Sequence, residues 1–327
     1  MLRRHGVGRL RGEEIRDAAV TFARGPVVYT WGTHLRVWPF GGGPARLLAK
    51  GVEGGGGCAI EAAGLAFQEG GTLGRLVFRR SPDWQATVVD TGTEVLDCAP
   101  ATLHGRKGVL VVQRGMQVRF YEPALGTYRE IYSFYTPSRQ AGLLTGDVDG
   151  DGLPDIFCGN YWIRSPERFE LPWRLFAINT HSAEEHSATF RMSQADLDGD
   201  GVPDLAVSQA EMNPARLAWF GRPADVREQW REHRLGEELN LVRLKGLATA
   251  DFDGDGRTDI AVGEDDGSRS RLLLFLNSGD GRFEVRELAR GEPAVRLFAA
   301  DVNGDGRPDL VFAGRRSVEW WESQRRR

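Results

Sequence analysis

Carboxylates recur at one fixed spacing in four places along the chain. They are Asp147, Asp149, Asp151 and Asp155; Asp196, Asp198, Asp200 and Asp204; Asp251, Asp253, Asp255 and Asp259; and Asp301, Asn303, Asp305 and Asp309. Side chains at positions 1, 3 and 5 of such a segment converge on one centre when the chain turns tightly, and the glycine at position 6 permits the bend. The backbone carbonyl at position 7 (Leu153, Val202, Arg257, Arg307) and the Asp at position 9 would complete most of an oxygen shell. Oxygen-only donors suit a hard cation. Zinc would call for His or Cys and magnesium keeps several waters, so the expected cofactor is Ca²⁺, about four ions per chain. Without a cation the clustered carboxylates repel one another, so the ion should stabilise the fold. An EF-hand is excluded, because position 12 holds Cys158, Val207, Val262 or Phe312 where that motif needs a bidentate Glu.

The loops start 49, 55 and 50 residues apart, the period of a four-stranded propeller blade and not of a helical repeat. Each is preceded by Leu143, Met192, Leu247 or Leu297 and then by a small residue, Gly146, Ala195, Ala250 or Ala300. Each is followed by an apolar run of strand length, beginning at Ile156, Leu205, Ile260 and Leu310, a pattern buried on both faces. An aromatic recurs in what reads as the third strand: Trp162, Trp219, Phe275 and Trp320. In residues 13–140 the same order of parts returns three times without the Asp loop, leading to Trp38, Phe78 and Phe120. One aromatic per repeat is expected to pack between blades and not to bind sugar. The predicted fold is all-β, a single seven-bladed propeller domain over 1–327 with four-stranded antiparallel blades. Blades 1–3, without metal loops, occupy about 13–140, and blades 4–7 occupy about 141–327. The last repeat lacks a fourth strand, and residues 1–9 are expected to supply it.

The loops and their apolar flanks, over about 141–327, resemble FG-GAP/VCBS repeats, as in the integrin α-subunit propeller and many bacterial extracellular proteins. The resemblance implies that each loop joins the first and second strands of a blade and that all four ions lie on one face. It also implies a secreted or extracytoplasmic home, since cytosolic free calcium would rarely fill modest sites of this kind.

The formal net charge is −4, and 15 of the 46 acidic residues fall in the four loops. No apolar run approaches 18 residues and the first residues carry no signal core, so neither a membrane span nor a signal peptide is expected in this chain. The basic runs Arg315-Arg316 and Arg325-Arg326-Arg327 are too short for a nucleic-acid surface. Three cysteines make neither a disulfide framework nor a thiolate site; Cys158 reads as a core residue, and pairing of Cys58 with Cys98 is left open.

If first-to-second connections carry the ions, a ligand would meet the second-to-third and blade-to-blade connections. Candidates from second-to-third connections are Trp31, His34, Gln68, Glu69, Gln113, Arg114, Asn160, Tyr161, Gln209, Glu211, Asp265, Asp266, Arg315 and Arg316, and from a blade-to-blade connection the segment containing His181, Glu184, Glu185 and His186. Two imidazoles beside two carboxylates could hold a metal or act as acid and base. The favoured function is a non-catalytic binding or adhesion module for a glycan or protein, on a calcium-stiffened, monomeric scaffold. One alternative is a carbohydrate-active enzyme, a polysaccharide lyase or aldos-2-ulose dehydratase relative, with His186, Tyr161 and Arg315 as suspects. Another is a structural domain of a larger secreted assembly.

Overall fold

Among the described residues, short β-branched and aromatic runs punctuated by glycine turns form 28 strands, arranged in seven four-stranded sheets. The computed structural model describes residues 2–21, 25–40, 43–60, 64–113, 117–123, 125–134, 141–178 and 189–324. Within six sheets the strands run in chain order: β2 (Ile15–Thr21) to β5 (Arg46–Ala49), β6 (Gly57–Ile60) to β9 (Ala86–Thr93), β10 (Val95–Leu103) to β13 (Thr127–Ser133), β14 (Leu143–Gly146) to β17 (Arg174–Ala177), β18 (Phe190–Ala195) to β21 (Arg231–Leu235), and β22 (Leu244–Ala250) to β25 (Arg282–Arg290). The seventh is β26 (Ala294–Ala300), β27 (Asp309–Gly314), β28 (Ser317–Ser323) and then β1 (Leu2–Arg9), which pairs antiparallel from Leu2↔Ser323 to Arg9↔Ser317. The fold is therefore an all-β, seven-bladed propeller whose last blade takes its outer strand from the N-terminus, as expected.

Contacts divide the chain into two compact units. One comprises Met1–Lys50, Arg191–Arg222 and Glu232–Arg327; the other comprises Gly51–Phe190 and Pro223–Arg231. In the first, the runs that follow the Asp loops become β19 (Asp204–Gln209), β23 (Asp259–Glu264) and β27, every residue of which is buried. The aromatic column packs between neighbouring blades. Trp219 and Phe275 share a core with Leu197, Leu247 and Val262, and Trp38 shares one with Val311 and Val318. Burying a side chain of this size is worth about 1.5–3 kcal/mol. Gly8 on β1 lies so close to Trp38 that a Cβ there would stand 2.7 Å from Cζ3, so only glycine lets the closing strand pass.

In the second unit, Phe120 joins Leu110, Ile156, Ile163 and Trp173 in one core, and Ile60, Phe78, Val109 and Tyr121 form another. Where the third blade lacks an Asp loop, β10 turns directly into β11 (Arg106–Gln113) through His104 and Gly105, both at positive φ (49° and 75°). Such a two-residue turn matches strand twist and leaves no room for a cation cage. Cys58 on β6 and Cys98 on β10 are joined by a disulfide that ties the inner strands of two neighbouring blades. Cys158 is fully buried, and burial pushes its thiol up to about 12, as befits a core residue.

Candidate metal centre

All four Asp segments lie between the first and second strands of their blades and share one hydrogen-bond scheme. The position-1 carboxylate accepts the N–H of the position-4 glycine at 2.7–2.8 Å and that of the position-6 glycine at 2.9 Å, in Asp147, Asp196, Asp251 and Asp301 alike. The position-5 carboxylate accepts the N–H of residue 7, for example Val202 on Asp200 at 2.7 Å. Both glycines of every loop sit at φ between 77° and 88°, a region in which a Cβ is strained. These bonds hold the position-1 and position-5 carboxylates in place and leave further oxygen lone pairs directed into the loop. Oxygens of Asp147, Asp149 and Asp155 lie within 4.8 Å of one another, as do those of Asp196, Asp198 and Asp204, and those of Asp251, Asp253 and Asp255. An all-oxygen donor set of this density fits a hard divalent cation.

The position-9 aspartate also has a second job that its spacing does not reveal. Asp155, Asp204, Asp259 and Asp309 are at most 2% exposed. In each, one oxygen accepts the N–H of residue 2 of the loop (Val148, Leu197, Phe252, Val302) at 2.9–3.1 Å. The other accepts a backbone N–H at the end of the third strand (Ser165, Arg222, Asn277, Ser323) at 2.7–3.2 Å. The carboxylate thus clamps the loop to its blade. In Asp259→Ala the buried N–H groups of Phe252 and Asn277 lose their acceptor, at about 1–3 kcal/mol each, so urea unfolding of the calcium-free variant should show a loss of about 3 kcal/mol. A loss below about 0.5 kcal/mol would mean that the clamp carries no load.

Burial, reinforced by the neighbouring loop carboxylates, pushes Asp155 and Asp259 up to about 7 and Asp204 up to about 6; Asp309 is raised for the same reasons. A carboxyl whose folded value lies above its unfolded value of 3.8 binds its proton more tightly in the folded chain. It therefore favours folding at low pH, and that advantage is lost as pH rises toward 7. Calcium-free protein should accordingly show a falling urea midpoint between about pH 5 and pH 7.5, and calcium should abolish the fall. A calcium-free midpoint that rises over this interval would contradict the assignment.

Guanidinium groups stand beside three of the loops. Arg164, the last residue of β16 (Tyr161–Arg164), holds Asp149 through Nε and Asp151 through an Nη at 2.8 Å. Arg257 pairs with Asp255, and Arg307 with Asp305, each within its own loop.

Of the residues expected on the opposite connections, the structure brings some together. Asp265, 5% exposed, accepts both Arg315 (2.8 and 2.9 Å) and Lys245 (3.2 Å), and Lys245 stands 4.0 Å from exposed Glu211. Three successive blades contribute to this cluster. Lys245, from the first strand of its blade, was not among the sequence candidates, because a lone Lys in an apolar run gives no signal. Trp31 is fully buried, so it belongs to the core and not to a ligand surface. Tyr161 is half-buried, its ring centroid 5.5 Å from that of Phe134. The polar residues that end the second strands are largely inward props. Gln68 accepts the N–H of Val95 at 2.6 Å, Gln209 that of Arg216 at 2.9 Å, and Glu69 pairs with Arg79 at 2.6 Å. His181, Glu184, Glu185 and His186 lie outside the described residues.

Comparison with known proteins agrees with this geometry. Residues 251–323, the sixth blade's loop through the end of β28, match the family model of the FG-GAP-like repeat. Integrin alpha-PS2 of Drosophila melanogaster is 23% identical over 209 residues, covering 52% of this chain and 14% of the integrin chain, so the chain spans only a small part of that relative's length. Among solved structures, YCF48 from Cyanidioschyzon merolae aligns with a TM-score of 0.57 at 10% identity, over 97% of this chain and 98% of that one. The extracellular domain of a one-component system from B. thetaiotaomicron aligns with a TM-score of 0.59 at 10% identity, over 97% of this chain and 39% of that one. At such identity these structures speak for the fold alone. The chain is a seven-bladed β-propeller in which residues 251–323 match the FG-GAP-like repeat.

Proposed function

We propose that this propeller is a calcium-stabilised, extracytoplasmic, non-catalytic binding module for a glycan or a protein. The observation that carries the proposal is one backbone hydrogen-bond scheme repeated in four loops, which brings carboxylate oxygens together in three of them; Asp147, Asp149, Asp151 and Asp155 and their counterparts would be the donors. Carbonyls of Leu153, Val202, Arg257 and Arg307 would add further oxygens. Bound calcium would supply charge neutralisation and would fix the first-to-second connections. The cluster of Glu211, Lys245, Asp265 and Arg315 offers charges of both signs to a ligand on the other connections. A Cys58–Cys98 disulfide favours an oxidising compartment, as does likeness to an integrin α chain. No helix among the described residues is long and apolar enough to cross a membrane.

Elemental analysis of dialysed protein should find about four calcium ions per chain. A count near zero would sink the metal assignment. Immobilised neutral and acidic polysaccharides, assayed for both retention and release of unsaturated fragments, separate the function classes: retention without release supports a binding module, and release would place the chain among the lyases.

A further inference from the structure

The residue facing the position-9 aspartate across the blade differs in every metal-loop blade. The pairs Ile156↔Ile163, Leu205↔Phe220, Ile260↔Phe275 and Leu310↔Trp321 fix the register of second and third strands. One residue further along, Asp155 faces Arg164, Asp204 faces Gly221, Asp259 faces Leu276 and Asp309 faces Glu322. This position lies at the mouth of the loop, and in two blades its side chain reaches the loop's own ligand positions. Arg164 holds Asp149 and Asp151. Glu322 instead sets Oε1 3.4 Å from Nδ2 of Asn303, the one position-3 residue that is not a carboxylate, while its Oε2 is held 2.9 Å from His5 Nε2 of the closing strand.

The two substitutions act in opposite directions. The loop at 147–155 has four carboxylates and gains a cation; the loop at 301–309 has lost one carboxylate and gains one from the third strand. With Arg164 included in the first, Arg257 in the loop at 251–259, and Arg307 and Glu322 in the last, all three come to a formal charge of −3. Ligand charge is a main determinant of calcium affinity in oxygen cages, so a residue that resets it resets the affinity. We infer that the third-strand residue opposite the position-9 aspartate tunes calcium affinity in two of the loops: Arg164 competes with the ion at 147–155, and Glu322 supplies the carboxylate that Asn303 lacks at 301–309. The inference rests on the calcium assignment above.

The test is hydrogen exchange of the full chain read by mass spectrometry across a series of free calcium concentrations, which gives each loop its own midpoint. In Arg164→Gln the midpoint of the peptide spanning 147–155 should fall about tenfold, the effect of removing one competing charge at a partly screened site, while the other three loops stay where they are. Arg164→Lys, which keeps the charge, should stay near the unaltered protein and so separates charge from packing. In Glu322→Gln the midpoint at 301–309 should rise about tenfold. Unmoved midpoints in both Gln variants, with calcium-dependent protection intact in the unaltered protein, would overturn the tuning and leave the calcium assignment standing. Absence of calcium-dependent protection in all four loops of the unaltered protein would overturn both.

Discussion

Removal of calcium should lower the melting temperature by about 15 °C. Each ion that binds only the folded chain contributes about 2.7 kcal/mol when free calcium is a hundredfold above its dissociation constant, so four sites contribute about 11 kcal/mol. An unfolding entropy of about 2.1 cal/mol/K per residue, applied to 327 residues, converts that sum into the stated shift. The structural reason is local. Three of the loops crowd carboxylate oxygens that backbone N–H groups only partly neutralise, and in all four the position-9 aspartate draws a negative charge into the core. Scanning calorimetry in millimolar calcium and in excess chelator measures the shift directly. Magnesium at the same concentration should recover only a small part of it, since that ion gives up its water reluctantly. Three of the loops lie in the unit containing the first and last residues, and one lies in the other unit. A chelated sample should therefore lose hydrogen-exchange protection most widely in β18 to β28. Equal melting temperatures with and without calcium would refute the structural role of the ions.

Loss of the Cys58–Cys98 disulfide should cost about 4 kcal/mol. Its 40-residue separation closes a loop whose constraint on the unfolded chain is worth about that much in the chain-entropy model. The two sulfurs tie β6 to β10, so the bridge joins blades that otherwise hold together through side-chain packing around Ile60, Phe78, Val109 and Tyr121. Two measurements check this. Alkylation of unfolded, unreduced protein should label one cysteine, Cys158, and labelling of three would show that the bridge is absent. The double variant Cys58→Ser, Cys98→Ser should lose stability by the stated amount, about 6 °C in melting temperature, with calcium binding at the four loops retained. A variant as stable as the parent would mean that the bridge only decorates a packed interface.

The sequence makes the fold legible because a propeller is a one-dimensional repetition. The Asp loops mark where first strands end, the fully apolar runs mark second strands, and the aromatic marks the third, so strand order follows from spacing alone. The missing fourth strand of the last repeat, set beside Leu2-Arg3-Arg4-His5-Gly6-Val7, is enough to indicate that β1 pairs with β28. The cage is legible for the same reason, since its donors lie within nine residues and a local turn brings them together whatever surrounds it.

What lies between blades was not legible. No local pattern links Cys58 to Cys98, which meet only when two sheets pack, or Glu322 to Asn303 and Lys245 to Asp265, which come from separate segments of one blade and meet only through strand register. The expectation that polar residues ending the second strands face a ligand failed for Gln68, Glu69 and Gln209, which are buried and bonded to neighbouring strands or loops. Period-2 alternation assigns a side chain to one face of a sheet, but whether that face meets solvent or the next blade depends on how the sheets stack. The sequence by itself determined the repeat, the order of strands and the placing of the loop carboxylates, since each of these is local. Tertiary structure alone decided the charge around each cage, the clamp role of Asp155, Asp204, Asp259 and Asp309, and which polar groups remain exposed, since these depend on long-range contacts and on which groups are withdrawn from water.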